Sequence, residues 1–190
     1  MIIWYYLISY FIGNILFGYI VGKIMSGKDI RLVGSKNVGA RNAGRLFGKK
    51  AFLFTFLGDA AKGVIVVVVG KYAGFSSEIL LAGLFFACFG HIKPVLFCFK
   101  GGKGISTFIG GLIAIQPIFI IFIISGFLLF YPLYKGFTIP GFIALFIVCT
   151  ALSFTEENWL CSVIGIVTWL MIYFSHRISW RKFLFEQKPL

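Results

Sequence analysis

The chain has 190 residues, 59% of them hydrophobic and 13% charged, with a mean hydropathy of +0.97. A soluble domain holds about 45–50% apolar and about 25% charged residues, so one core cannot bury this surplus and lipid must solvate the rest. The net charge of +12, from 18 Lys+Arg against 6 Asp+Glu, is interleaved with apolar runs. That pattern points to anionic lipid, phosphate-bearing substrates and topology signals, and away from nucleic acid.

Runs of spanning length, roughly 20 residues, occur at about 2–22, 51–73, 78–99, 105–134, 138–153 and 158–175. The first opens Met1-Ile-Ile-Trp without a basic leader and shows no clear cleavage site, so it reads as a retained helix. The fourth is too long for one span. Gln116-Pro117 interrupts it, because proline disfavours continuing a helix through that point. A short helix at about 105–115 and a second at 117–134 are expected. The four cysteines (Cys88, Cys98, Cys149, Cys161) lie in or beside apolar runs without CxxC spacing and read as buried free thiols.

Charge placement fixes the expected topology. Lys23, Lys28, Arg31, Lys36, Arg41, Arg45, Lys49 and Lys50 fall in the first polar stretch. Lys93, Lys100 and Lys103 lie at the third junction, Lys135 follows the fifth segment, and Arg177, Arg181, Lys182 and Lys188 end the chain. The opposite junctions carry Glu78, Glu156 and Glu157 with Lys71. Basic residues mark the cytoplasmic side. Only seven segments put all three large basic stretches inside. The expectation is an all-α integral membrane protein of about seven transmembrane helices, one short or half-spanning, with the N-terminus outside and the C-terminus cytoplasmic. Residues 1–190 read as a single domain without internal repeats.

Three stretches concentrate the polar chemistry. The first, Gly34-Ser-Lys-Asn-Val-Gly-Ala-Arg-Asn-Ala-Gly-Arg45, lies in the one long polar connection, 23–50. Its glycines permit close backbone approach, its Ser and Asn supply hydrogen bonds, and arginine pairs with phosphate in a planar fork. The second runs from Gly90-His91-Ile-Lys-Pro94 to Phe99-Lys-Gly-Gly-Lys-Gly-Ile-Ser-Thr107 and opens a helix. Free N–H groups there attract anions, although the spacing is not that of a Walker A loop. The third, His176-Arg177-Ile-Ser-Trp-Arg-Lys182, ends the last apolar run and also fits a basic cap anchored by Trp180. Asp59 and Lys62 lie three apart on one face of an apolar segment, about 13 Å along the helix from Lys50. They form either an orienting ion pair or part of a site. No metal set, cofactor motif or GxSxG elbow is evident.

These residues resemble the PlsY family of bacterial membrane acyltransferases, which make lysophosphatidic acid from glycerol 3-phosphate with acyl phosphate as donor. Asp29-Ile-Arg31-x-x-Gly34-Ser35-x-Asn37-x-Gly39-Ala40-x-Asn42-x-x-Arg45-x-x-Gly48, followed by Asp59-x-x-Lys62-Gly63, matches the family's first motif. Gly90-His91-x-x-Pro94, Phe99-Lys-Gly-Gly-Lys-Gly104 and Thr107 match the second, and His176-Arg177 opens the third. The resemblance implies seven helices in the bacterial cytoplasmic membrane, with the site on the cytoplasmic face. It implies catalytic roles for Ser35, Arg45, Lys103 and His176, the first three holding the phosphates. It implies substrate contacts from Asn37, Gly39, Asn42, His91, Lys100, Gly101, Gly102, Gly104, Thr107 and Ser179, with the glycines near the acyl phosphate. The implied partners are the two substrates and membrane lipid.

Three positions depart from the family pattern. Lys36 stands where Gly-Ser-Gly-Asn has its second glycine, Arg41 where Gly-Ala-Thr-Asn has threonine, and Ser179 where His-Arg-x-Asn has asparagine. They leave open a tuned substrate preference or a paralogue with weakened or lost activity. An anion or phosphate-ester transporter would use similar basic loops.

Overall fold

In the computed structural model the apolar runs fold as helices, and no strand occurs among the described residues. The backbone is described for residues 1–185 and the side chains for residues 1–176. The order is α1 (Ile2–Gly13), α2 (Phe17–Ser26), α3 (Ala40–Phe47), α4 (Lys49–Tyr72), α5 (Ser77–Ile92), a 3₁₀ turn η1 (Val95–Phe97), α6 (Ile105–Ile115), α7 (Phe119–Tyr134), α8 (Thr138–Thr155) and α9 (Trp159–Phe185). Among the described residues, five stretches are long and apolar enough to cross a membrane: Ile2–Ser26, Lys49–Tyr72, Ser77–Phe97, Thr138–Thr155 and Trp159–His176. The helices α6 and α7 are shorter and equally apolar. Their boundary is the expected one, since α6 stops at Ile115 and Gln116 turns to extended backbone before Pro117.

Two expectations are corrected. The run 2–22 is not one helix, because it breaks at Asn14–Leu16. The break frees backbone carbonyls, and the buried Lys62 ammonium takes two of them: Nζ donates to Ile15 O at 2.7 Å and to Gly13 O at 3.3 Å. The Asn14 side chain completes the join, donating to Tyr10 O and accepting from the Leu96 N–H. The polar stretch 23–50 also contains α3, a two-turn helix. Ala40 and Ala43 face inward, whereas Arg41 and Arg45 lie on its exposed side. A small core of Leu16, Val21, Ile30, Val38, Ala43 and Ala51 seats this region on α2 and α4.

The main bundle packs at backbone contact distance. A Cβ on Gly63 of α4 would come within 2.0 Å of Thr107 O, and one on Gly110 of α6 within 2.1 Å of Ala60 O. The same relation holds α1 to α5, through Gly13 against Ala87 O and Gly90 against Tyr10 O. Lipid tails are as apolar as leucine, so helix association in a bilayer depends on close approach of this kind. Large apolar side chains such as Leu53, Phe54, Leu57 and Ile65 on α4 point away from the core. Of the cysteines, Cys88, Cys149 and Cys161 are buried as expected, but Cys98 is exposed in the turn after η1.

The bundle end away from the basic stretches is tied by separate polar contacts. Lys71 donates to Ile115 O at 2.9 Å, Ser77 to Glu156, and Asn158 to Glu78 at 3.4 Å. At the α4–α6 crossing, Gly63→Ala is expected to cost about 1–3 kcal/mol by forcing two backbones apart. Gly141→Ala on α8, where an added Cβ meets nothing within 4 Å, is expected to leave stability unchanged. Thermal unfolding of the two variants in detergent checks the contrast.

Candidate active site

The first basic loop is organised by one buried amide. Asn42 Oδ1 accepts the Ser35 N–H at 3.0 Å, while Nδ2 donates to Asn37 O at 2.9 Å and Val33 O at 3.3 Å. A side chain on Gly34 would strike that same Oδ1, and Gly34 also has φ +60°. Arg31 pins the other end of the loop. It pairs with Asp29 at 2.7 Å and lies over the Tyr19 and Phe97 rings, with its guanidinium carbon 5.1 and 5.2 Å from the centroids. The loop therefore presents Ser35 and Arg45 at the surface with Asn37 and Gly39 half-buried between them. Lys36 has φ +59°. The position where the family pattern has glycine is thus one that needs left-handed backbone, and a lysine there is strained.

Beneath the second loop lies the pair that the sequence left ambiguous. Lys62 Nζ is 2.9 Å from Asp59 Oδ1, with both side chains almost wholly buried. It is also 2.8 Å from His91 Nδ1. A charged lysine only donates, so His91 Nδ1 accepts and its proton sits on Nε2. That nitrogen fills the space under Gly102, where a Cβ would lie 2.1 Å away. The His91 carbonyl in turn accepts the Gly102 N–H at 2.9 Å. His91 is therefore a buried prop for the glycine loop. Lys100 is exposed, Gly101 lies half-buried on the His91 backbone, and Gly104 has φ +83° as it leads into α6. Thr107 is buried in the first turn of α6.

The third stretch closes on this loop. The Ser175 hydroxyl donates to Ile172 O at 2.6 Å and lies 3.3 Å from Lys103 O, and the buried His176 ring holds Ile172 O through Nδ1 at 3.0 Å. The carbonyl can only accept, so in the neutral imidazole Nδ1 carries the proton and Nε2 keeps its lone pair. Phe142 of α8 meets His176 edge-on at 5.0 Å between centroids. Ser179 lies beyond the residues whose side chains are described.

Arg41, Arg45, Lys103 and His176, from three separate segments, thus share one end of the bundle. Burial, and then the Arg41 and Arg45 cations, push the Lys103 pKa down to about 8. Burial and Arg45 likewise lower the Arg41 pKa. A cluster of like charges of this kind is suited to anionic groups. Sequence reasoning overlooked Thr138 and Phe142. Both lie in an apolar run with no polar pattern, and only the packing of α8 on α9 brings them here.

The chain is similar to known proteins over nearly its whole length. The family model for glycerol-3-phosphate acyltransferase matches residues 3–186. A Bacillus cereus protein named glycerol-3-phosphate acyltransferase 1 is 58% identical over 110 residues, which is 58% of this chain and 60% of that relative. A Bacillus thuringiensis subsp. konkukian protein of the same name is 51% identical over 125 residues, covering 66% of this chain and 69% of its own length. Among solved structures, the glycerol 3-phosphate form of PlsY, an integral membrane glycerol 3-phosphate acyltransferase, superposes with a TM-score of 0.87. The identity is 29%, over 99% of this chain and 94% of that one. Its lysophosphatidic acid form gives 0.85 at 28% identity with the same coverage.

The depressed Lys103 pKa sets a pH dependence. Sulfate keeps its charge between pH 6 and 10, whereas Lys103 loses its proton as pH rises through about 8. Sulfate affinity is therefore expected to fall across that interval, with proton uptake on binding, because the bound anion raises the lysine pKa. Lys103→Arg, which stays charged, is expected to flatten the profile. Isothermal titration calorimetry in two buffers of different ionisation enthalpy reads both effects.

Proposed function

This chain belongs to the glycerol-3-phosphate acyltransferase family, and from that premise we propose that it transfers an acyl group from acyl phosphate to glycerol 3-phosphate. The observation that carries the reading is the meeting of Arg45, Lys103 and His176 beside a glycine loop, on a bundle whose near relative in structure is an integral membrane acyltransferase. Two phosphate-bearing substrates need a dense cluster of cations, and this site supplies one.

The acceptor hydroxyl attacks the acyl carbon of the mixed anhydride, and the carbon–oxygen bond to phosphate breaks. The hydroxyl proton leaves with the phosphate, giving 1-acylglycerol 3-phosphate and hydrogen phosphate. Acyl phosphate is already activated, so orientation provides much of the rate. Arg45 and Lys103 stabilise the charge that develops on oxygen. Ser35 and Asn37 hydrogen-bond the acceptor from the loop that Asn42 and Gly39 shape. Gly101, Gly102 and Gly104 let the backbone approach the donor, with Lys100 at the rim and Thr107 below. His176 offers Nε2 to the site, and Ser179 follows it on α9.

In the membrane, the five long stretches and the two shorter helices make seven transmembrane segments, α6 being the short one. The N-terminus lies outside, and the site faces the cytoplasm of a bacterial inner membrane. The support is electrostatic: basic residues gather at the site end, while Glu78 and Glu156 mark the other. Cys98 tests this orientation because it is exposed at the site end while the other thiols are buried. A membrane-impermeant maleimide is expected to label it in inside-out vesicles and not in intact cells; the reverse pattern would overturn the topology.

The activity test uses purified protein with labelled glycerol 3-phosphate and, in parallel, palmitoyl phosphate, acyl-CoA and acylated carrier protein. Product is expected from palmitoyl phosphate alone. Lys103→Ala is expected to lower kcat/KM by about 100-fold or more, as loss of an oxyanion-stabilising donor does. Wild-type protein that binds glycerol 3-phosphate yet yields no product with any donor would overturn the reading. An inactive paralogue or a transporter would then take its place.

A further inference from the structure

Arg41 is, with Lys36, one of two cations that the family pattern does not include. Its guanidinium leaves α3 and donates to the Thr138 hydroxyl at 3.3 Å, a contact between residues 97 apart in sequence. Thr138 is the first residue of α8, and one turn later Phe142 packs edge-on against His176. Lys103 and His176 both lie within electrostatic reach of Arg41. Arg41 therefore stands on the α8 side of the cation cluster, one helical turn of α3 before Arg45.

Directly beyond Thr138 begins an apolar groove of about 300 Å³ between α8 and α9, lined by Ile139, Phe142, Ile143, Phe146, Trp169 and Tyr173. A cation at the mouth of an apolar, largely aromatic groove suits a phosphate that carries a hydrocarbon chain. Glycerol 3-phosphate has no such chain, whereas an acyl phosphate has one.

We propose that Arg41 is a donor-specific phosphate ligand: it holds the phosphate of the acyl phosphate, whose chain lies in the α8–α9 groove, leaving Ser35 and Arg45 to the acceptor. This rests on the acyl-transfer reading above. The chemistry suits arginine. One N–H of the planar fork is spent on Thr138, and the others remain for phosphate oxygens. When the anhydride breaks, the bonding electron pair leaves with the phosphate, so negative charge grows beside Arg41. Threonine, the family's residue at this position, brings no charge. Arg41 also stays protonated above pH 8, where Lys103 does not.

The test compares wild type with Arg41→Thr, a residue that the family fold accepts at this position. Initial rates are measured while palmitoyl phosphate and glycerol 3-phosphate are varied in turn. The variant is expected to raise the donor KM about tenfold, the loss typical of one charge-assisted hydrogen bond, with the acceptor KM within twofold. Calorimetric binding of octyl phosphate, inorganic phosphate and glycerol 3-phosphate repeats the comparison without turnover. Octyl phosphate is expected to bind more tightly than inorganic phosphate, to lose about tenfold in Arg41→Thr, and to lose its chain-dependent advantage in Ile143→Trp, which fills the groove. An unchanged donor KM and octyl phosphate affinity in Arg41→Thr, or a selective rise in the acceptor KM, would overturn the assignment to Arg41. An intact chain advantage in Ile143→Trp would overturn the groove. Octyl phosphate binding that depends on Arg41 in a wild-type protein without turnover would support the subsite while removing the acyl-transfer reading.

Discussion

The architecture turns on one buried ammonium. Lys62 closes the break in the first hydrophobic run by donating to Gly13 O and Ile15 O, pairs with Asp59, and fixes the tautomer of His91. A charge at that depth is tolerated only when its donors are satisfied. Here they are met by a carboxylate, a ring nitrogen and two carbonyls that the broken helix would otherwise leave unpaired. The same contacts set the position of His91, and so the height of the Gly101–Gly102 backbone above it. Helix break, ion pair and phosphate-seeking loop are one electrostatic unit.

Above that unit the cations are arranged at a cost. Arg41, Arg45 and Lys103 repel one another, and Lys103 is half-buried as well. Rigid supports keep them together: Asn42 binding three backbone groups of its loop, and Arg31 held by Asp29 and two rings. A preorganised cluster of this kind does not have to reorganise when charge develops on a reacting oxygen. Lys36 adds strained left-handed backbone, and a further positive charge, to the same loop.

On the proposed assignment, donor and acceptor would meet this cluster from different directions. The first loop faces the water-soluble end, and the α8–α9 groove opens among apolar side chains that lipid solvates. Phe142 belongs to both the groove and the His176 contact. A chain lying in the groove would therefore register directly against the ring at the reacting centre.

Hydropathy alone determined that this protein is helical and solvated by lipid, and Gln116-Pro117 marked the α6–α7 boundary, because proline cannot continue a helical ladder. The density of Gly, Asn and Arg in 34–45 and of Gly and Lys in 100–104 marked the two loops that carry the cation cluster, since close backbone approach and paired donors require those residue types. Tertiary structure decided the rest. Asn14–Leu16 reads as apolar helix, and it breaks because a lysine 47 residues from Ile15 claims its carbonyl. The helix α3 has Ala40, Ala43, Leu46 and Phe47 at helical spacing, but its two turns are too short for the period to stand out within a polar stretch. Thr138 and Phe142 carry no mark of a site at all. Their position at the site end comes from the packing of α8 on α9 and the reach of Arg41 to Thr138, a relation between distant segments that local periodicity does not encode.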